Sequence, residues 1–173
     1  MSNDAPPIAV AAPEPTAEND ARRDLLVRYA ILSFVILGLG GWLTSLGMGE
    51  WYDALEKPPF QPPGWVFSPV WTVVLGLLAV GTWRVARRGE VARAGLKLYA
   101  AQFVLNVGWS LFFFAMTNPT LALVDIALLD VVVVAMVVVY GRVDRVAGWC
   151  MVPYAVLLGL ATAINGWIVQ SGG

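Results

Sequence analysis

The chain has 173 residues, of which 58 % are hydrophobic and only 13 % charged, with a net charge of −1. Soluble domains carry about 25 % charged residues, so a chain this apolar has too little polar surface to face water, and its balanced charge offers no basic footprint for nucleic acid. It contains no histidine and a single cysteine, Cys150, which excludes an internal disulfide, argues against a zinc site and removes every histidine-dependent nucleophilic mechanism.

Residues 1–24 read as a disordered tail, since Pro6, Pro7, Pro13 and Pro15 stand among alanines and acids with no apolar period. The first apolar run is too long for the core of a secretory signal. Residues 25–173 read as one all-α domain, an integral membrane bundle of five transmembrane helices over about 29–46, 65–83, 98–117, 121–140 and 146–169. Each run approaches the ~20 residues that a helix needs to cross ~30 Å of hydrocarbon. The fourth contains Val131-Val132-Val133-Val134, a strand-like stretch in water. In lipid an isolated strand leaves its backbone unpaired, so helix is expected.

The links differ in character. The first, Gly47 to Gly64, holds Pro58, Pro59, Pro62 and Pro63 together with Trp51 and Phe60, and Trp65 follows directly at its end. Its restricted backbone and apolar surface suit a lid folded over the bundle. The second, Arg84 to Lys97, is basic. The third is a tight turn at Asn118-Pro119, and the fourth, Gly141 to Arg145, is short. Ten of the eleven basic residues fall on one side of the expected topology, with only Lys57 opposite. The amino terminus is therefore expected in the cytoplasm and the carboxyl terminus outside.

In the third helix Tyr99, Gln102, Asn106, Trp109 and Ser110 fall in a sector of ~100°, and such a stripe must face protein or a cavity rather than lipid. It is either interhelical glue or the wall of a pocket. A similar line in the fifth helix runs through Tyr154, Leu158, Ala161 and Asn165, with Leu157 at its flank. Asp125 and Asp130 are costly inside a membrane and are functional suspects: Asp125 either sits at the interface or bonds a neighbouring helix, and Asp130 is neutral, paired, or part of a proton path in a proton-linked carrier. Of the eight tryptophans, Trp42, Trp83, Trp149 and Trp167 lie near run ends and fit an interfacial belt, while Trp71 and Trp109 lie deeper.

The stretch Trp51-Tyr52-Asp53-Ala54-Leu55-Glu56-Lys57-Pro58, followed by Pro62-Pro63-Gly64-Trp65-Val66-Phe67-Ser68-Pro69-Val70-Trp71-Thr72, closely resembles the TspO/translocator protein family. Gln102, Asn106, Trp109 and Ser110 add to the match, as do Pro153-Tyr154 and the segment from Ala161 to Asn165. The resemblance implies a five-helix bundle, often a homodimer, in the lipid bilayer of a bacterial cell membrane. It implies a porphyrin or other tetrapyrrole as ligand, sterols in some members, and no separate cofactor. The implied pocket lies between the helices with the first loop across its mouth. On this chain the expected ligand-binding residues are Trp51, Trp65, Phe67, Trp71, Tyr99, Gln102, Asn106, Trp109, Ser110, Tyr154, Leu157 and Ala161, with no catalytic residue and no metal.

Two departures stand out. Many members carry a tryptophan three residues after Pro-Tyr in the fifth helix, where this chain has Leu157. In some bacterial members that indole and the one matching Trp71 are implicated in light-dependent porphyrin breakdown. The expected role is thus a receptor or transporter-like binder that regulates tetrapyrrole levels, and porphyrin degradation is the enzyme alternative. No basic residue follows Tyr154, so the sterol-recognition pattern is absent.

Overall fold

The computed structural model describes residues 15–172. Five helices in it are long and apolar enough to cross a membrane: α1 (Pro15–Gly47), α3 (Gly64–Ala86), α4 (Arg93–Ser110, continued by a π turn over Leu111–Ala115), α5 (Pro119–Val143) and α6 (Arg145–Gln170). A short α2 (Glu50–Ala54) interrupts the first link, and a 3-10 turn (Gly89–Ala92) lies in the second. The expected tail over 1–24 needs correction where it is described, because residues 15–24 are the first turns of α1. Pro15 suits the first helical position, and Glu18 pairs with Arg22 one turn later. Residues 1–14 lie outside the described residues.

The spacing of α5 shows how sequence becomes packing. Ala122, Ile126, Leu129, Val133, Met136 and Tyr140 are buried, at steps of three and four, with Asp125 beside them on the same face. Val124, Leu128, Val131, Val134 and Val138 form the opposite face and are exposed. In water such a face would be a liability; against acyl chains it is matched to its solvent. Contacts close the helices into a ring: α1 packs on α3, α3 on α6, α6 on α5, α5 on α4, and α4 back on α1. Helices α5 and α6 approach closely, and a Cβ on Gly148 would lie 2.6 Å from the Gly141 Cα. Only glycine fits there.

Since lipid offers no hydrogen-bond partners, buried polar groups must bond across helices. Ser33 on α1 meets the Tyr99 hydroxyl at 3.3 Å, and Thr82 on α3 meets that of Tyr140 at 3.1 Å. Thr162 on α6 donates to Asp130 on α5 at 2.7 Å, so Asp130 is an interhelical acceptor. Asp125 is buried against Gly108 of α4, and its Oδ2 has no hydrogen-bond partner.

At the basic end of the bundle, Asp144 is the single residue between α5 and α6. Its side chain caps α6 by accepting from the Ala147 N–H at 3.1 Å. It also takes both arms of Arg84, at 3.0 and 2.8 Å, and Arg88 at 3.2 Å. The Arg84 hydrogen bonds, helped by Ala147 and Arg88 and opposed by burial, hold its carboxyl well below the usual carboxylate range. A folded-state pKa below the unfolded value of about 3.9 stabilises the fold above that pH, and the contribution is lost as pH falls further. Asp144→Asn should keep the cap but lose the ion pairs, so its melting temperature should fall less than the parent's between pH 5 and pH 3. Asp144→Ala should cost about 1 kcal/mol beyond Asp144→Asn, because the cap goes too. Thermal unfolding in detergent measures both, and equal acid sensitivity in parent and Asp144→Asn would contradict the assignment.

Candidate ligand-binding cavity

The other end of the bundle is open. A cavity of about 430 Å³ lies between α1, α3, α4 and α6, under the first link. On α1 its wall is made of small residues, Gly40, Gly41 and Thr44, above Ile36 and Leu37. A Cβ on Gly41 would meet nothing within 4 Å, so this stretch leaves open space where larger side chains would fill it. Phe67, Ser68, Trp71 and Leu75 come from α3, and Ala161, Ile164, Asn165 and Ile168 from α6.

The fourth wall depends on the π turn. A wide turn closed by the Met116 N–H on the Leu111 carbonyl, at 2.9 Å, buries the consecutive Phe113 and Phe114 together. Trp109 stacks on Phe113 with ring centroids 5.3 Å apart and stands edge-on to Phe114 at 5.8 Å. Its indole N–H donates to Asn165 Oδ1 at 3.1 Å, and the Asn165 amide donates to the Pro119 carbonyl at 2.9 Å. That chain of bonds ties α4, α6 and the start of α5 into one rigid wall.

The floor is a polar knot. Gln102 and Asn106 both donate to the fully buried Tyr154 hydroxyl, at 2.9 and 2.6 Å, and Trp71 stands edge-on to the Tyr154 ring at 5.9 Å. The mouth is spanned by the first link. Tyr52 packs on Phe114 and accepts from Gln61 Nε2 at 3.0 Å, while the Lys57 ammonium lies 4.4 Å over the Tyr52 ring and donates to its backbone carbonyl. Met48, Tyr52, Lys57 and Gln61 all line the cavity, as expected of a lid. Gly49, at a φ of 147°, makes the turn from α1 into α2, a conformation other residues rarely adopt.

Among the described residues, Lys57 is the one charged side chain that lines the cavity. Aromatic faces with a few hydrogen-bonding groups can enclose and orient a flat apolar molecule. Among the described residues, no three His, Cys, Asp or Glu side chains group as metal ligands would.

Residues 29–170 match the model of the TspO/MBR family. The tryptophan-rich protein TspO of Chlorobaculum tepidum is 36 % identical over 134 residues, covering 76 % of this chain and 85 % of that protein. The translocator protein of Sus scrofa is 33 % identical over 139 residues, covering 76 % and 82 %. The tryptophan-rich sensory protein of Cereibacter sphaeroides is 36 % identical over 116 residues, covering 67 % and 73 %. The chain belongs to the TspO/MBR family.

It is accordingly an integral, multi-pass membrane protein, and its five spanning helices are those of a TspO-family bundle. The twelve expected site residues divide by depth and direction. Phe67, Trp71, Asn106, Trp109, Ser110 and Ala161 line the cavity. Gln102 and Tyr154 lie beneath it in the floor. Tyr99 is lower still, bonded to Ser33 and edge-on to Tyr29. Leu157 packs into the main core rather than the cavity wall. Trp51 stacks edge-on against Phe113 from outside, and Trp65 is 78 % exposed. The expectation that Trp65 and Phe60 turn their apolar surface inward as part of the lid is therefore corrected: neither lines the cavity, and half-exposed Phe60 stands edge-on to Trp167. Trp65 is the second residue of α3 and turns outward, where an indole suits the membrane boundary.

The sequence reading missed the α1 contribution, the lid's Tyr52, Lys57 and Gln61, and the far end of α6. One signal was present: Gly38, Gly40 and Gly41 cluster in an otherwise bulky apolar run, which in a membrane helix marks close approach or space.

Proposed function

We propose that this TspO-family protein binds porphyrins and related planar hydrophobic molecules in the cavity, acting as a membrane receptor or transporter-like regulator of tetrapyrrole levels. The observation that carries this reading is the pairing of aromatic faces, Trp71 on one wall and the Trp109–Phe113 stack on another, around about 430 Å³ with Asn106 and Ser110 at its polar edge. Such a lining buries a flat ring and orients it by a few hydrogen bonds. Lys57, the charged residue at the mouth, favours the acidic substituents that natural porphyrins carry. The basic residues gathered at the opposite end favour a mouth on the non-cytoplasmic side.

Titrating the purified protein with protoporphyrin while following tryptophan fluorescence should give saturable quenching. Asn106→Leu should weaken binding by about 1–2 kcal/mol, roughly five- to thirtyfold, with the fold held by the remaining Gln102–Tyr154 bond. Linear, non-saturating quenching in the parent would defeat the reading. An unchanged dissociation constant in Asn106→Leu would confine Asn106 to bridging α4 and α6.

One observation favours light-driven porphyrin breakdown as a second reading: Trp109 joins Trp71 on the cavity wall, so two indoles are available although Leu157 replaces a third. Under identical illumination the parent should stay near background. Rapid loss of porphyrin that disappears in Trp71→Phe would make the enzyme reading the better one.

A further inference from the structure

A second cleft, of about 340 Å³, opens at the end of the bundle opposite the cavity, between α1, the last turn of α3 and the α5–α6 junction. Four guanidiniums, from Arg22, Arg84, Arg87 and Arg88, surround one carboxylate, Asp144. The carboxylate is already saturated by both arms of Arg84, by Arg88 and by the Ala147 N–H. It neutralises one charge and fixes two guanidiniums in place. Arg87 lies over the Trp83 ring, 4.6 Å from its centre, and among the described residues no carboxylate pairs with it. Arg22 is paired only with exposed Glu18 on its own helix, a surface contact worth little. The Trp83 indole N–H donates to the Arg22 carbonyl at 2.9 Å, locking α1 to α3 beside the cleft.

These arginines are thus held in position with an excess of positive charge and unused N–H donors facing a common space. Guanidinium forks match the oxygens of a phosphate. Trp83 and Trp149 lie at this end of their helices, as interfacial indoles do, so the cleft opens at headgroup depth. We propose that this cleft binds a phosphate group, presented by the headgroup of an anionic phospholipid in the adjoining leaflet.

The test uses the full chain in detergent micelles and native mass spectrometry with phosphatidylglycerol or phosphatidylcholine, with inorganic phosphate followed separately by phosphorus NMR. The parent should retain phosphatidylglycerol at least about fivefold better than phosphatidylcholine. Arg87→Gln should remove most of that preference, since Arg87 is exposed and its loss leaves the Arg84–Asp144 bonds intact. Arg142→Gln removes the same charge from the same end but outside the cleft, and should keep the preference. Binding of inorganic phosphate alone, lost in Arg87→Gln, would support the site with a soluble source. Equal retention of both lipids with no phosphate binding would overturn the proposal. So would equal losses in Arg87→Gln and Arg142→Gln, which would reduce the effect to surface charge.

Discussion

Ala161→Trp should abolish porphyrin binding, raising the dissociation constant at least about a hundredfold, while the bundle stays folded. The face of α6 that looks inward runs Tyr154, Leu158, Ala161, Asn165 and Ile168, in steps of four and three. Tyr154 and Leu158 are fully buried and close the lower half of the bundle, whereas Ala161 and the residues after it line the cavity. The small methyl of Ala161 thus keeps the space above Tyr154 open, facing Trp71 and Trp109. An indole there brings about 150–250 Å² of aromatic surface into the volume that a flat ligand would occupy. A hundredfold loss corresponds to about 2.7 kcal/mol, well within what steric exclusion imposes. Filling a cavity commonly raises stability, so the melting temperature should hold or increase. Ala163→Trp is the control, because Ala163 is exposed on the lipid side of the same helix; its affinity should match the parent's. Fluorescence titration of the three proteins decides the matter. Unchanged affinity in Ala161→Trp would place the porphyrin elsewhere on the protein.

Gly148→Ala should destabilise the protein by about 2 kcal/mol or more, while the equivalent change at its partner, Gly141→Ala, should be nearly silent. The asymmetry follows from the geometry of the α5–α6 crossing. A Cβ on Gly148 would sit 2.6 Å from the Gly141 Cα, 2.9 Å from its nitrogen and 3.1 Å from the Val137 carbonyl oxygen. All three are backbone atoms that no rotamer change can move, so the helices must part, and overpacking of this kind costs about 1–3 kcal/mol. A Cβ on Gly141 would meet its nearest neighbour at 3.9 Å, an ordinary contact. Separation of α5 from α6 would also stretch the Thr162–Asp130 bond and disturb the Asp144 junction. Two measurements suit the test. One is the unfolding midpoint in detergent, and the other is the rate of thiol labelling at Cys150, which is half-buried on α6 beside Gly81 of α3. Faster labelling and a lower midpoint are expected in Gly148→Ala alone. Parent-like values there would mean that the crossing can widen at no cost.

The five spans and the membrane as solvent were legible from the sequence, because they depend on local quantities. A run of about twenty uncharged residues, a proline-rich break or a cluster of arginines carries its meaning without reference to distant residues. The cavity-lining Trp71 and Asn106 were reached through the resemblance, whereas the link residues at the mouth, Tyr52, Lys57 and Gln61, are not the Trp51, Phe60 and Trp65 on which the lid expectation rested. The third-helix stripe marks where local reading stops. Periodicity put Tyr99, Gln102, Asn106, Trp109 and Ser110 on one inward face, yet glue and cavity wall look alike from a single helix. Only the neighbours separate them: Ser33 and Tyr154 engage the lower residues, while the gap left by Gly40 and Gly41 on α1 opens the cavity beside the upper ones. The same limit explains Phe113 and Phe114, whose joint burial needs a π turn that no residue spacing announced, and Trp65, whose direction is set by how α3 meets the membrane edge. Helical period fixes which residues share a face; what that face meets, and whether it meets anything at all, is decided by the packing of the other four helices.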